Sequence, residues 1–375
     1  MNLKTPTRLI PTLLALTMAS AAHAVVETNG DFGKLSLGGD AELNLNAANT
    51  SAGSLMGQSH QQDRWDMDGR LLLNFAAIKE LPSGAYGQVV IQPTVSVNAG
   101  ASADDAWLGF GKKAGWGMKV GRFEAYDMFP LGQDIFVEHS GDSANDLYSD
   151  GHGYVYMLKE GRGRAGKGGQ VLLNQQVGNW YLELSTLIGD RTNLFANQQY
   201  HGYEVTKEKD SLIARPVVAW KNENFKLALG AESNLISDAM LANGESVSKR
   251  NGYGLTSTWS QENLTLNASL AQMSAVEETD STAGVNLIWQ QLGLGYIYAV
   301  NDIKSANTAS NAEYGDLVGT HKIHTTYASY KIPSVLELQN FDIYLGAYWS
   351  QLQPDSETVS NMDRYGGRVR FKYFF

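Results

Sequence analysis

The 375-residue chain has no cysteine, which excludes a disulfide framework and a thiolate metal site together. Basic residues are few, with 29 lysines and arginines against 39 aspartates and glutamates. That balance argues against a nucleic-acid partner, which would call for a basic face. Also missing, past the N-terminal segment, is any apolar run near the roughly 20 residues that a membrane-spanning helix needs. A chain that lacks covalent staples must draw its stability from another source.

The N-terminal stretch "MNLKTPTRLIPTLLALTMASAAHA" has a short basic region at Lys4 and Arg8 and an apolar run from Leu9 to Ala19. Ala22-His23-Ala24 then supplies the small residues that an export peptidase recognises. The reading is a cleaved signal peptide over residues 1–24 and a mature domain over 25–375. Losing Lys4 and Arg8 leaves 27 basic residues against 39 acidic ones, a net charge near −12.

The C-terminal stretch "GGRVRFKYFF" alternates with period two. Val369, Phe371, Tyr373 and Phe375 share one face, and Arg368, Arg370 and Lys372 share the other. In a membrane barrel this pattern puts the aromatic residues in lipid and the charges in a wet lumen. The same alternation recurs upstream. Leu35, Leu37, Leu43 and Leu45 interleave with Lys34, Ser36, Asp40, Glu42 and Asn44. Trp65, Met67, Leu71 and Phe75 interleave with Asp66, Asp68, Arg70 and Asn74.

Continued along the chain, the pattern predicts strands at 34–47, 64–78, 85–97, 104–111, 117–124, 168–177, 180–189 and 211–221. Eight more follow at 225–234, 252–259, 264–273, 281–289, 292–299, 321–331, 341–350 and 364–375. Sixteen is an even number, as single-chain bacterial barrels require. The predicted fold is therefore an all-β transmembrane antiparallel β-barrel. Short connections such as 178–179, 222–224, 261–263 and 290–291 alternate with long ones over 49–63, 125–167, 190–210, 235–251 and 300–320. Short periplasmic turns and long extracellular loops account for that asymmetry. Trp116, Trp180, Trp220, Trp259 and Trp289 lie within about three residues of short turns, as an aromatic girdle requires.

The longest connection opens with "DMFPLGQDIFVEHSGDSANDLYSD", which carries six carboxylates and no lysine or arginine. Asp134, Glu138, Asp142, Asp146 and Asp150 recur at every fourth position. A sixteen-strand barrel encloses an aqueous channel that side chains alone cannot fill. A third loop folded inward over about 125–167 would narrow it, and its acids would favour cations. Wall positions Arg70, Arg368 and Arg370 could supply the counter-charge. Other readings stay open: a short solvated helix broken by Gly132, or a loop lying across the barrel mouth. Calcium held by these oxygen ligands is chemically reasonable, although no EF-hand spacing is present.

Aromatic residues beside the acids suit a sugar, which presents apolar C–H faces and hydroxyl edges. Phe123, Tyr126 and Phe129 alternate with Arg122, Glu124 and Asp127. Tyr154 and Tyr156 precede Lys159, Glu160, Arg162 and Arg164, and Trp107 falls at a lumen-facing position. The plainer role for each ring is to pin the loop to the wall.

The stretch "VGRFEAYDMFPLGQDIFVEHSGDSANDLYSDGHGYVYMLKEGRGRAG", with the terminal "RVRFKYFF" and the strand rhythm, resembles the glycoporins typified by the raffinose porin. The resemblance implies a homotrimeric Gram-negative outer-membrane channel for oligosaccharides, in contact with lipid and lipopolysaccharide. Maltoporin-like relatives use a stacked aromatic lane, which does not map residue by residue onto this chain. The alternative function is a general, cation-favouring porin for small hydrophilic solutes without a sugar site. An outer-membrane enzyme built on His139 and Ser140 lacks a nucleophile-elbow context. An adhesin would need no acidic, aromatic inward loop. No cofactor is called for.

Overall fold

A computed structural model describes residues 24–31, 33–56, 60–140, 155–158, 168–195 and 198–375. Sixteen antiparallel strands form one closed barrel. They are β1 (Gly33–Thr50), β2 (Gln62–Glu80), β3 (Ala85–Ser96), β4 (Ala101–Lys112), β5 (Trp116–Arg122), β6 (Gly168–Val177), β7 (Trp180–Gly189) and β8 (Ser211–Lys221). The wall continues through β9 (Phe225–Asn234), β10 (Asn251–Gln261), β11 (Leu264–Ala275) and β12 (Glu278–Trp289). It ends with β13 (Leu292–Ile303), β14 (Gly319–Ile332), β15 (Phe341–Pro354) and β16 (Met362–Phe374). Every strand pairs with its sequence neighbour, and β16 closes on β1 from Asp40↔Phe374 to Thr50↔Arg364. Closure leaves no free edge, so each backbone polar group facing lipid has a partner in the wall.

The period-two pattern sorts the two faces. Leu35, Leu45, Met67, Leu71 and Phe75 are exposed on the outside, as a belt for lipid. Their strand neighbours Asp40, Asn44 and Asn46 are buried on the inside. Trp116, Trp180 and Trp289 are exposed beside short turns, and Trp220 and Trp259 are half-exposed there. No described helix is long and apolar enough to cross a membrane; the crossing elements are strands.

Three features depart from the expectation. Ahead of β1, Ala24–Gly30 forms a strand antiparallel to Gly33–Gly38, where a plain entry into β1 was expected. It takes up the stretch of β1 that β16 leaves unpaired, continuing the line of β16 past Phe375. Two connections on the long-loop rim are short: Val97–Gly100, and the pair Val276–Glu277 between β11 and β12. Lastly, the connections after β7 and β9 build a four-stranded sheet of their own from Gln199–Tyr200, Tyr203–Lys207, Met240–Ala242 and Glu245–Ser246. Phe195, Tyr200, Val205, Met240 and Val247 form its apolar core. His201 secures it to the barrel with Nε2 3.2 Å from Glu278 Oε2.

Candidate functional site

At Gly121, φ is +137° and an added Cβ would lie 2.2 Å from the Ala106 carbonyl oxygen, so only glycine fits. Just beyond it β5 ends, and the chain leaves the wall. Residues 123–140 form neither helix nor strand, which removes the short-helix reading for this part. An extended segment without a ladder partner must satisfy its carbonyls elsewhere. Here side chains from successive strands donate to them across the inside of the barrel. Arg215 (β8) donates to Tyr126 O at 2.7 Å, and Thr256 (β10) donates to Met128 O. Asn286 (β12) reaches Pro130 O at 2.6 Å and Tyr327 (β14) reaches Leu131 O at 3.0 Å. Ser350 (β15) reaches Glu138 O at 2.8 Å, and Arg364 (β16) reaches His139 O at 3.1 Å.

The wall is shaped to receive this segment. Inward positions of β8 to β14 include Val217, Ala228, Ala271, Ile297 and Ile323, which are apolar where a water-filled lumen would favour polar residues. Met128, Phe129, Phe136 and Val137 cover them, as do Val155–Leu158. Glycines allow the close approach. A Cβ at Gly284 would stand 2.7 Å from the Phe129 ring, and one at Gly254 would stand 2.9 Å from Leu158.

The side chains singled out in the sequence fall into two groups. Phe123 and Phe129 are 1% exposed, so they offer no ring face to a passing solute and instead pin the loop. This corrects the expectation of a sugar-stacking role for them, because burying a whole ring against the wall gains more than leaving it wet. Tyr126 is half-buried and stacks on Tyr181 at 5.7 Å between centroids. Its backbone N–H donates to Glu183 Oε1 at 3.0 Å, and burial raises the affinity of its hydroxyl for its proton. Asp127 caps a turn by accepting from Phe129 N at 2.9 Å. Glu124 is half-buried. Arg122 Nε donates to Asp104 O at 2.8 Å. Trp107 faces inward and packs against Phe123, Ala125 and Leu172.

The charged candidates converge on β1, β2 and β16. Arg370 pairs with Asp134 from the loop, lies 3.1 Å from Glu42 and donates to Asn44 Oδ1 at 2.7 Å. Arg368 donates to Asn46 Oδ1 at 2.7 Å and stacks over the Phe136 ring at 4.2 Å, with Asp68 3.7 Å away. Glu138 takes Arg64 at 2.7 Å and the Tyr348 hydroxyl at 2.7 Å. Arg70 stays on the wall, 3.3 Å from Asp104 and 3.9 Å from Asp40. Loop acids Asp134 and Glu138 are therefore in direct contact with wall arginines, Arg370 as expected and Arg64 in addition. Alternation placed Arg368, Arg370, Asn44 and Asp68 on the polar face; it missed Arg64, Asn46 and Tyr348, although all occupy polar or inward positions of the same pattern. Asp142, Asp146, Asp150, Tyr154, Lys159, Glu160, Arg162 and Arg164 lie outside the described residues. Among the described residues, no group of three or more His, Cys, Asp or Glu could hold a metal ion.

The open inner face is thus a lattice of carboxylates, amides and guanidiniums on β1, β2 and β16, facing a wall that the loop has lined. Comparison with known proteins places this architecture. Solved structures of similar fold include an anion-selective porin from Comamonas acidovorans, at TM-score 0.58 and 12% identity over 91% of this chain and 99% of that one. OmpT of Vibrio cholerae, folded in vitro, matches at TM-score 0.56 and 10% identity over 94% and 100%. Salmonella typhi OmpF, in complex with daunomycin, matches at 0.55 and 12% over 93% and 100%. Comparison with curated proteins returns no match. The model of the porin-like glycoporin RafY family matches residues 37–375, nearly the whole barrel, and the chain belongs to that family of outer-membrane porins.

Proposed function

We propose that this porin is a passive diffusion channel for oligosaccharides, with the loop over about 125–167 as its constriction. The observation that carries the reading is the run of wall-to-loop hydrogen bonds from Tyr126 to His139. They hold the loop inside the barrel and bring Asp134 and Glu138 to Arg370 and Arg64. A solute passing there meets planar guanidinium, amide and carboxylate groups in fixed positions. Such groups exchange hydrogen bonds with sugar hydroxyls and disfavour apolar solutes. Substrate passage requires no covalent step, so the reading includes no catalysis and no cofactor. Export by a cleaved segment 1–24, trimeric assembly and contact with lipopolysaccharide belong to the same proposal.

A second reading, a general porin without a sugar site, draws on the burial of Phe123 and Phe129, which removes two of the candidate stacking rings. Single-channel conductance in a planar bilayer separates the two, titrating with raffinose and then maltotriose. Current block that saturates with sugar concentration supports the saccharide channel. Conductance unaffected by either sugar leaves the general porin.

A further inference from the structure

We infer that the inward face of β4–β7 carries a subsite for the carboxylate of an acidic saccharide, centred on Lys119 and Trp107. The inference rests on the saccharide-channel reading. Lys119 on β5 is half-buried, with Nζ 4.6 Å from the Trp107 ring centroid and 5.8 Å from that of Phe123. Two ring faces hold an ammonium in place without neutralising it. Two other inward lysines are paired: Lys331 lies 2.8 Å from Asp342, and Lys372 lies 3.4 Å from Glu42. Among the described residues no carboxylate is within ion-pair distance of Lys119; Glu183, Asp105 and Glu124 act on it only from farther away.

Three more buried polar atoms on these strands have no hydrogen-bond partner among the described residues: Trp107 Nε1, Gln170 Nε2 and Ser185 Oγ. Gln170 and Ser185 are each 1% exposed. The strand register gathers all four groups. Trp107 is opposite Gly121, which is opposite Gln170; Lys119 is opposite Leu172, which is opposite Ser185. Adjacent strands stand about 4.8 Å apart, so Lys119, Trp107 and Gln170 share one patch, and Ser185 lies at its β7 edge. The lysine, indole and amide nitrogens can only donate, and the serine hydroxyl can donate. Glu183 is already engaged, taking Tyr126 N at 3.0 Å and the Tyr181 hydroxyl at 2.6 Å. Unpartnered donors beside an ammonium that no carboxylate touches directly are completed by a carboxylate, whose two oxygens accept several charge-assisted bonds. The stacked rings of Tyr126 and Tyr181 lie beside Glu183, and they suit a sugar ring bearing that carboxylate better than a bare ion.

The test is current block in a planar bilayer by trigalacturonate and by maltotriose, which have equal numbers of rings. It uses the native sequence, Lys119→Met and Trp107→Phe. Trigalacturonate should half-block the native channel at about tenfold lower concentration than maltotriose. Lys119→Met should bring the two half-blocking concentrations together by weakening block by trigalacturonate. Trp107→Phe keeps a ring but removes the N–H, and should narrow the gap partway. Equal half-blocking of the native channel, or a preference that survives Lys119→Met, overturns the subsite while leaving the saccharide channel standing. Block by neither sugar overturns both. Block by acetate at the trigalacturonate concentration overturns the saccharide assignment and leaves a site for any carboxylate.

Discussion

Asp134 and Glu138 show how one pair of carboxylates can serve both structure and permeation. Each makes a charged contact to an arginine of the wall, so the loop acids and wall guanidiniums partly cancel instead of facing one another across water. Replacing them with Asn and Gln frees Arg370 and Arg64 and turns the local field toward positive. The double variant should therefore lose cation preference, read as a shift of the reversal potential in a salt gradient toward the chloride value. An unmoved reversal potential would place both acids off the ion path. Phe129 has a purely packing role at 1% exposure. Phe129→Ala should cost about 3–5 kcal/mol of local packing. Added current noise at unchanged mean polarity would report the loosened loop.

At the scale of elements, the loop and the strands beneath it were built for one another. The hydrogen-bond donors Arg215, Thr256, Asn286, Tyr327, Ser350 and Arg364 sit on six different strands, and they read the loop backbone in order. The glycines below supply clearance. Gly284→Val should drive Phe129 off its seat, because the new side chain begins 2.7 Å from that ring. Strand pairing there involves only backbone, so the barrel should still assemble while single-channel conductance changes. Loss of assembly would show that the loop is needed to form the barrel. In the sequence, all sixteen wall strands were legible, with ends off by up to about four residues, since period two forces every side chain to declare a face. The loop path was not. Its clue was the apolar inward positions Val217, Ile297 and Ile323, which contradict a wet lumen unless something covers them. That clue can be read only once the strand register is known.

For the whole molecule, stability comes from closure, in a chain with no disulfide. Gly39 N donates to Phe375 O at 2.7 Å, and Phe375 N donates to Gly39 O at 3.0 Å, so the last residue of the chain closes the wall. Its ring lies against Tyr373, 6.4 Å between centroids, on the outward aromatic side. Phe375→Ser should lower the amount of folded barrel in the outer membrane, seen as loss of the heat-modifiable band on electrophoresis. An unchanged band would mean that the backbone pairing alone is enough.

The sequence by itself determined the barrel, its sixteen strands, its two faces and the inward placement of Arg70, Arg368 and Arg370. These follow from local periodicity, and lipid and water impose opposite demands on alternate residues. The tertiary structure alone decided which acid meets which arginine, that Phe123 and Phe129 are buried, and that Lys119 has no ion-paired carboxylate among the described residues. Those outcomes depend on contacts between residues far apart in the chain, 74 positions for Glu138 with Arg64 and 236 for Asp134 with Arg370, and on the loop path across the wall. A pattern of period two carries no information about such pairings.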